Sequence, residues 1–504
     1  MEKRDVLRST TFGKTIAEEE GVGLSAYFVE TEQWQKIFAG DIDIVYGRKG
    51  SGKSAIYALL LGRASELFDR GIMIVAAENP RGTVCFRDLA TNPPTNESEF
   101  RSLWKLYFLV LVGHSLREYE LSSPNARKVV ELLEEARLLP RDASLSGYLR
   151  AVRDYVRRLL RQDALAVEST LELDPITAMP SGLTGRIRFK EPSSAEERLG
   201  WISLEHLMAL ANSALEDAGF CIWLVLDRLD VAFAESSELE RNALRSLFRV
   251  YLDLRKFGSF SLKIFLRSDL WLSILKGGFR EASHITRQLT ICWEPASLLN
   301  LVIRRALFNA ELRAFYGVDP IATMSSAEKQ AALFYRIFPN KVDPGQPLRT
   351  FAWILEHTCD GSRSTAPREL IHMLSSARDA QLRRFEVGQR PPLDEALFDP
   401  VSLIDALPEV SRIRFEQTLC AEYPHLREYM QQLEGERTYH TAQTLAGVWG
   451  LKVDRALSIA NQLIDIGFFQ FMGTRRTPRF WVPHLYQSAL RMARGRNPNS
   501  IDQD

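Results

Sequence analysis

The amino-acid sequence predicts an α/β protein: a P-loop core with a five-stranded parallel sheet, a helical insertion, an all-α lid and a C-terminal winged helix. Three observations predict it. Strand-like runs that are apolar throughout alternate with helical runs, the pattern of a parallel sheet covered on both faces. The first strand leads through a glycine-rich loop directly into a helix. From about residue 296 the chain reads as nearly all helix until roughly its last 35 residues, where FFQFM and RFWV read as a short hairpin.

The elements follow in order. The first strand runs from Ile42 to Tyr46, and the loop after it opens the helical run SAIYALLLGRASELF. A second strand is GIMIVAAE, 71–78. From about 98 the pattern turns helical through FRSLWKLYFLVLVGHSLREY, ARKVVELLEEARLL and SGYLRAVRDYVRRLLRQ. In the last of these, Arg150, Arg153, Arg157 and Arg161 share one side, and Leu149, Val152, Val156 and Leu159 form another. Segment 173–196 holds Pro175, Pro180, Gly182, Gly185 and Pro192 and reads as a mobile connection. A helix near 199–217 precedes the third strand, CIWLVLD (221–227). A helix near 238–256 precedes LKIFLR (262–267), and LTICW (289–293) is the fifth strand. The division that results is 1–97 for a lead-in and the first part of the core, 98–198 for the insertion and 199–295 for the second part of the core. Residues 296–436 form the lid and 437–504 the winged-helix-like module.

Composition narrows the function classes. The chain has 504 residues, 45% apolar and 25% charged, the profile of an ordinary globular protein. Lys+Arg and Asp+Glu are 64 each, which excludes a generally polybasic nucleic-acid binder and an acidic disordered chain. The longest apolar run, LYFLVLVG, falls well short of the roughly 20 residues a membrane-spanning helix needs. Five scattered cysteines show no metal spacing; Cys221 and Cys292, in apolar strand-like runs, read as core thiols. Together these indicate a reduced, cytoplasmic protein with no membrane contact.

The strongest chemical signal is GRKGSGKS: Gly47, Arg48, Lys49, Gly50, Ser51, Gly52, Lys53 and Ser54, then Ala55. It matches G-x-x-x-x-G-K-[ST] between a strand and a helix, as a phosphate-binding loop requires. The glycines let several backbone N–H groups turn inward, and with the helix N-terminus these hold β- and γ-phosphates. Lys53 adds a point charge, and Ser54 offers its hydroxyl to Mg²⁺. Lys49 reads as a solvated side chain that adds positive potential.

Such a loop needs a carboxylate at a neighbouring strand end. IWLVLD supplies Asp227 for the metal, and Asp230 in DRLD is the candidate for activating water or, alternatively, a helix cap. Arg228 follows Asp227 and cannot act as a base near neutral pH. Arg267, ending LKIFLR, reads either as a reporter of the γ-phosphate or as an ion-pair partner of Asp269 or Asp227. In STAPREL, Pro367 starts a helix and Arg368 projects from its first turn, as a lid arginine reaching the nucleotide or a solvated side chain. Arg280 and Arg287 are positional candidates for an arginine donated by a neighbouring subunit. No NKxD motif is present, which favours ATP over GTP.

These residues resemble the AAA+/STAND branch of P-loop ATPases: the P-loop, DRLD after an apolar strand, FLRSD after the next, and PREL in a helical lid occur in that group's order. AEEEGVGLSAYFVETEQW before GRKGSGKSA resembles the lead-in of poorly characterised bacterial ATPases often encoded in antiviral defence loci. The resemblance covers about 1–80 and 200–380. It implies sheet order 5-1-4-3-2, an ATP·Mg²⁺ site, a helical lid and nucleotide-controlled oligomerisation. Arg228 departs from the usual glutamate, so the resemblance leaves the hydrolysis rate open.

At the C-terminus, TAQTLAGVWGLKVDRALSIANQLIDIGFFQF reads as helix, turn, helix, strand, with GTRRTPRFWV as the wing. Between Arg437 and Arg496 nine basic residues face Asp454 and Asp465, a local net charge of +7. Arg475, Arg476 and Arg479 could therefore contact nucleic-acid phosphates; the alternative is that the module packs on the lid or binds protein. The reading that results is an ATP-driven switch acting on its own assembly or on an effector. Its rivals are a DNA-binding regulator with a mainly structural nucleotide pocket, and a scaffold that binds ATP without hydrolysing it.

Overall fold

The computed structural model describes residues 2–492 except 16–18, 21–22, 80–85, 87–93, 95, 142, 169–186, 199, 230–235, 346, 393 and 475. The chain divides into two compact units. One comprises Glu32–Gly47 and Lys53–Ile291, the other Met1–Thr31, Arg48–Gly52 and Cys292–Asp504.

The first unit is built on β1 (Ile44–Gly47), β2 (Ile72–Ala76), β3 (Cys221–Leu226), β4 (Phe260–Arg267) and β5 (Gln288–Thr290). All pairings in this sheet are parallel, as the apolar runs predict, and the order is β2-β3-β4-β1-β5, the one the resemblance implies. β1 and β3 are buried along nearly their whole length, which explains their unbroken apolar character. β5 is a three-residue edge strand, shorter than LTICW suggested. The chain leaves the sheet at Thr290, so Cys292 is exposed and Cys221, at the outset of β3, is half-buried. Neither is the core thiol its apolar neighbours implied.

Helices cover this sheet. SAIYALLLGRASELF breaks at Arg63 into α1 (Lys53–Gly62) and the short helix Ala64–Asp69. The insertion supplies α2 (Glu97–Glu118), α3 (Pro124–Glu135) and α4 (Leu145–Glu168), capped at α2 and α3 by Asn96 and Ser123. Ser203 and Ser236 cap α5 (Leu204–Asp217) and α6 (Ser237–Leu254); α7 is Ser268–Lys276. α2 is apolar around almost its whole circumference, so it is buried rather than set on the surface. Trp104 Nε1 donates to Ala243 O at 3.1 Å and Tyr107 Oη to Ala77 O at 2.9 Å, so the insertion shares one core with the sheet. Within 173–196, Ile187–Arg188 pairs with Ile202–Ser203, and Tyr155 Oη bonds both main-chain groups of Ile187. That part is anchored; the rest of the stretch up to 186 lies outside the described residues.

The second unit is mainly helical. It includes α8 (Pro295–Phe308), α9 (Pro367–Glu386), α10 (Pro400–Arg412) and α11 (Pro424–Gln431). β6 (Tyr439–Thr441), α12 (Ala442–Trp449), α13 (Val453–Asp465), β7 (Gln470–Gly473) and β8 (Pro478–Trp481) follow. The sheet order β6-β8-β7 is antiparallel, and with α11 this is the element order of a winged helix. Thr441 and Thr444 form a reciprocal cap at α12, and Gly450 at φ 63° ends it. Leu445, Ala456, Ile459 and Leu463 are buried between α12 and α13, and Val448, Leu451 and Ile464 are half-buried against them. Among the described residues no helix is long and apolar enough to cross a membrane.

Candidate functional site

In the sheet unit the parallel strands deliver their C-terminal ends to one edge, the edge at which open α/β sheets bind ligands. Gly47 ends β1 and pairs in register with Arg267, the end of β4. One strand further, Asp227 follows β3 and is buried. Arg267 thus stands on the strand between the loop and the acidic strand, as expected. It donates from Nε (3.1 Å) and Nη2 (2.8 Å) to Asp269, the ion-pair partner that one of its two readings names. Arg228 is left-handed at φ 59°, a sparsely populated conformation for a bulky side chain, immediately after Asp227. Asp230 lies outside the described residues.

Lys53 opens α1, and its Nζ donates to Gly47 O at 2.8 Å. Ser54 and Ala55 follow in the first turn. Gly47 is extended as part of β1, whereas Gly50 (φ 83°) and Gly52 (φ 99°) are left-handed. The special backbone geometry of the loop therefore rests on the second and third glycines. A left-handed loop followed by a helix N-terminus, with a lysine and a hydroxyl in the first turn, is a donor set that suits an anionic phosphate.

Arg48–Gly52 belong with the second unit, where they meet a ring of acids. Arg48 Nη1 pairs with Asp360 Oδ2 at 2.6 Å, and Lys49 pairs with Glu422. Lys49, read from the sequence as a solvated side chain, is half-exposed and ion-paired. A methyl group at Gly50 would stand 3.0 Å from Arg368 Cβ and 3.3 Å from Glu369 Oε2, so α9 begins directly against the loop. Glu369 is buried and pairs with buried Arg414 at 3.1 Å; burial works against that guanidinium, while Glu369 and Asp360 hold it charged. Trp293 Nε1 donates to Ser51 O at 2.8 Å. Arg368, in the first turn of α9, donates from Nε to Thr15 O at 3.3 Å. The sequence STAPREL offers a cap-like Ser/Thr before Pro367, but the N-cap of α9 is Ala366, with no side-chain bond.

The remaining candidates are dispersed. Arg287 pairs with Asp43, which precedes β1 and lies at the opposite end of the strand from Gly47, and Arg280 is exposed in a short 3₁₀ turn. Arg150 is exposed, Arg153 and Arg157 half-buried, and Arg157 reaches Glu99 at 3.9 Å. In the winged helix, Lys452, Arg455, Arg476 and Arg479 are exposed, and Arg479 lies over the Tyr439 ring at 5.7 Å. Arg475 lies outside the described residues.

Sequence reasoning passed over four acids. Asp360, Glu369 and Glu422 carry no local signal, because their partner loop is more than 300 residues away. Glu78, 1% exposed just beyond β2, did carry one: IMIVAAE ends an apolar strand on a carboxylate, as IWLVLD does.

No family model matches the sequence, and no curated protein does. Among solved structures, the ORC2 protein of Aeropyrum pernix in ADPNP–ADP complexes aligns over 91% of this chain and 92% of its own at 11% identity. The TM-score of that alignment is 0.29, too low for the likeness to bear on function.

Proposed function

We propose that this chain is an ATP-binding and ATP-hydrolysing molecular switch of AAA+/STAND type. The observation that carries it is the complete GRKGSGKS loop ending β1, beside the strand that ends in Arg267 and one strand from buried Asp227. In this reading the loop from Gly47 to Ala55 holds the triphosphate, Lys53 neutralises it, and Ser54 with Asp227 holds Mg²⁺. Asp230 keeps the two readings the sequence gives it, activation of water or a cap on the next helix. Arg267 and Arg368 exchange Asp269 and Thr15 O for the γ-phosphate, and the change in their partners alters self-assembly or an effector's activity. Domains 1–97 and 199–295 form the core in this reading, with 98–198 inserted, 296–436 as lid and 437–504 as output module. A role in antiviral defence is supported by the resemblance alone.

The test is mass measurement of the chain with ATP·Mg²⁺ and with ADP, alone and mixed with candidate effectors. A change of assembly state that ATP produces and Arg368→Ala abolishes is the expected result. Identical masses and effector binding under both nucleotides would sink the switch.

A second reading, a DNA-binding regulator, is favoured by the exposed cations Lys452, Arg455, Arg476 and Arg479 around α13 and the β7–β8 hairpin. It predicts salt-dependent duplex binding, with a log–log slope that becomes shallower on joint neutralisation of Arg475, Arg476 and Arg479. Duplex affinity indifferent to salt and to those changes would remove it.

A further inference from the structure

We infer that Glu78 is the general base of nucleotide hydrolysis, a claim that rests on the ATPase reading above. The placement comes from strand register. β2 and β3 pair Ala76 with Val225, and the ladder continues beyond β2, because Ala77 N–H donates to Val225 O at 2.8 Å. Carried forward one residue at a time, that register sets Glu78 beside Asp227, roughly 4.8 Å away across the sheet. Asp227 is the carboxylate assigned to the metal. A second carboxylate therefore stands at the same ligand-binding edge, on the neighbouring strand.

Burial makes this position costly unless it is used. Glu78 is 1% exposed. An ionised carboxylate removed from water is retained where hydrogen bonds or a functional charge offset the desolvation. One bond is local: Glu78 Oε1 accepts from Asn79 N–H at 2.6 Å. The main chain is held from two sides. Tyr107 Oη donates to Ala77 O, and Tyr57 Oη donates to Glu78 O, each at 2.9 Å. Tyr57 lies three residues after Ser54, one turn along α1, so the helix that starts at Lys53 fixes the main chain carrying Glu78.

The chemistry needs such a group. Arg228, next to Asp227, is a guanidinium and cannot take a proton at neutral pH. In the proposed step a Glu78 carboxylate oxygen takes a proton from water. The water oxygen forms its bond to the γ-phosphorus while the bond from that phosphorus to the β,γ-bridging oxygen breaks. The electron pair of the broken bond leaves with ADP.

The experiment compares full-length wild type, Glu78→Gln and Asp230→Asn. Equilibrium binding of a fluorescent ATP analogue with Mg²⁺, single-turnover cleavage of ATP, and chromatography of the nucleotide retained after ATP loading are measured for each. Glu78→Gln is expected to bind within about threefold of wild type, to cleave about 100-fold more slowly or worse, and to retain ATP rather than ADP. Asp230→Asn tests the rival base that the sequence offers, and cleavage slowed by Asp230→Asn as much as by Glu78→Gln would overturn the assignment. Should Glu78→Gln not fold, Glu78→Asp keeps the charge one methylene short, and intact binding with slowed cleavage is the expected result. Wild-type cleavage by Glu78→Gln, or binding and cleavage lost together, overturns the assignment. So does a wild type that binds ATP and never cleaves it. A wild type that does not bind ATP overturns the ATPase reading itself.

Discussion

Lys263 stands on β4, the middle strand of the parallel sheet, where a lone charge would be prohibitive. Its Nζ reaches Asp43 Oδ1 at 2.8 Å, Ile42 O at 2.7 Å and Gly40 O at 3.1 Å, over the Trp223 ring at 4.3 Å. Burial pushes this ammonium down from its ordinary value while Asp43 opposes the shift. Tyr251 and Ser261 also donate to this carboxylate, and Arg287 pairs with it at 3.1 Å. Asp43→Ala strands a buried cation and is expected to cost about 3–5 kcal/mol in chemical denaturation, whereas Lys263→Met with Asp43→Leu should be close to neutral. Equal losses for both would contradict this account. A second residue-scale prediction concerns acid. His440 is buried and His372 half-buried, and burial lowers both imidazoles below their ordinary 6.5. The unfolded chain therefore binds more protons than the folded one once the pH drops below about 6.5, and stability falls as pH falls through that range. His440→Phe should flatten the dependence of melting temperature on pH between about 7 and 5.

At the scale of elements, the start of α9 and the end of α13 both depend on close main-chain approach. Gly361 N–H donates to Gly467 O at 2.7 Å, and a methyl group at Gly361 would lie 2.2 Å from Phe469 O. Neither partner is a side chain that can swing aside. Gly361→Ala is therefore expected to destabilise the second unit by about 1–3 kcal/mol, read as earlier proteolysis of the winged helix. Gly388→Ala, at a left-handed position with open space around it, should cost about 1–2 kcal/mol through backbone strain alone. The loop offers a related prediction. Arg48 and Lys49 are engaged by Asp360 and Glu422. The charge of these acids opposes an incoming anion, so Glu422→Gln should tighten ATP binding, by about fivefold for a coupling near 1 kcal/mol. Weaker binding would mean that Glu422 orders the loop rather than opposing its ligand.

At the scale of the whole molecule, the fold class was legible because its determinants are local. Five apolar runs marked five strands, and their alternation with helices marked the sheet as parallel. The loop was legible because phosphate chemistry demands glycines, lysine and a hydroxyl at fixed spacing. What stayed hidden is long-range: the acids at Arg48 and Lys49, and the incorporation of α2 into the sheet's core through Trp104 and Tyr107. Cys292 misled because an apolar string predicts burial only while the strand lasts, and β5 ends at Thr290. The central claim, a nucleotide held by the loop from Gly47 to Ala55, meets its most direct test in isothermal titration of ATP·Mg²⁺ into wild type and Lys53→Ala. One saturable site in wild type, weakened about 10- to 100-fold by loss of a charged donor to phosphate, is the predicted result. Equal affinity in the two proteins, or no binding in either, would contradict it.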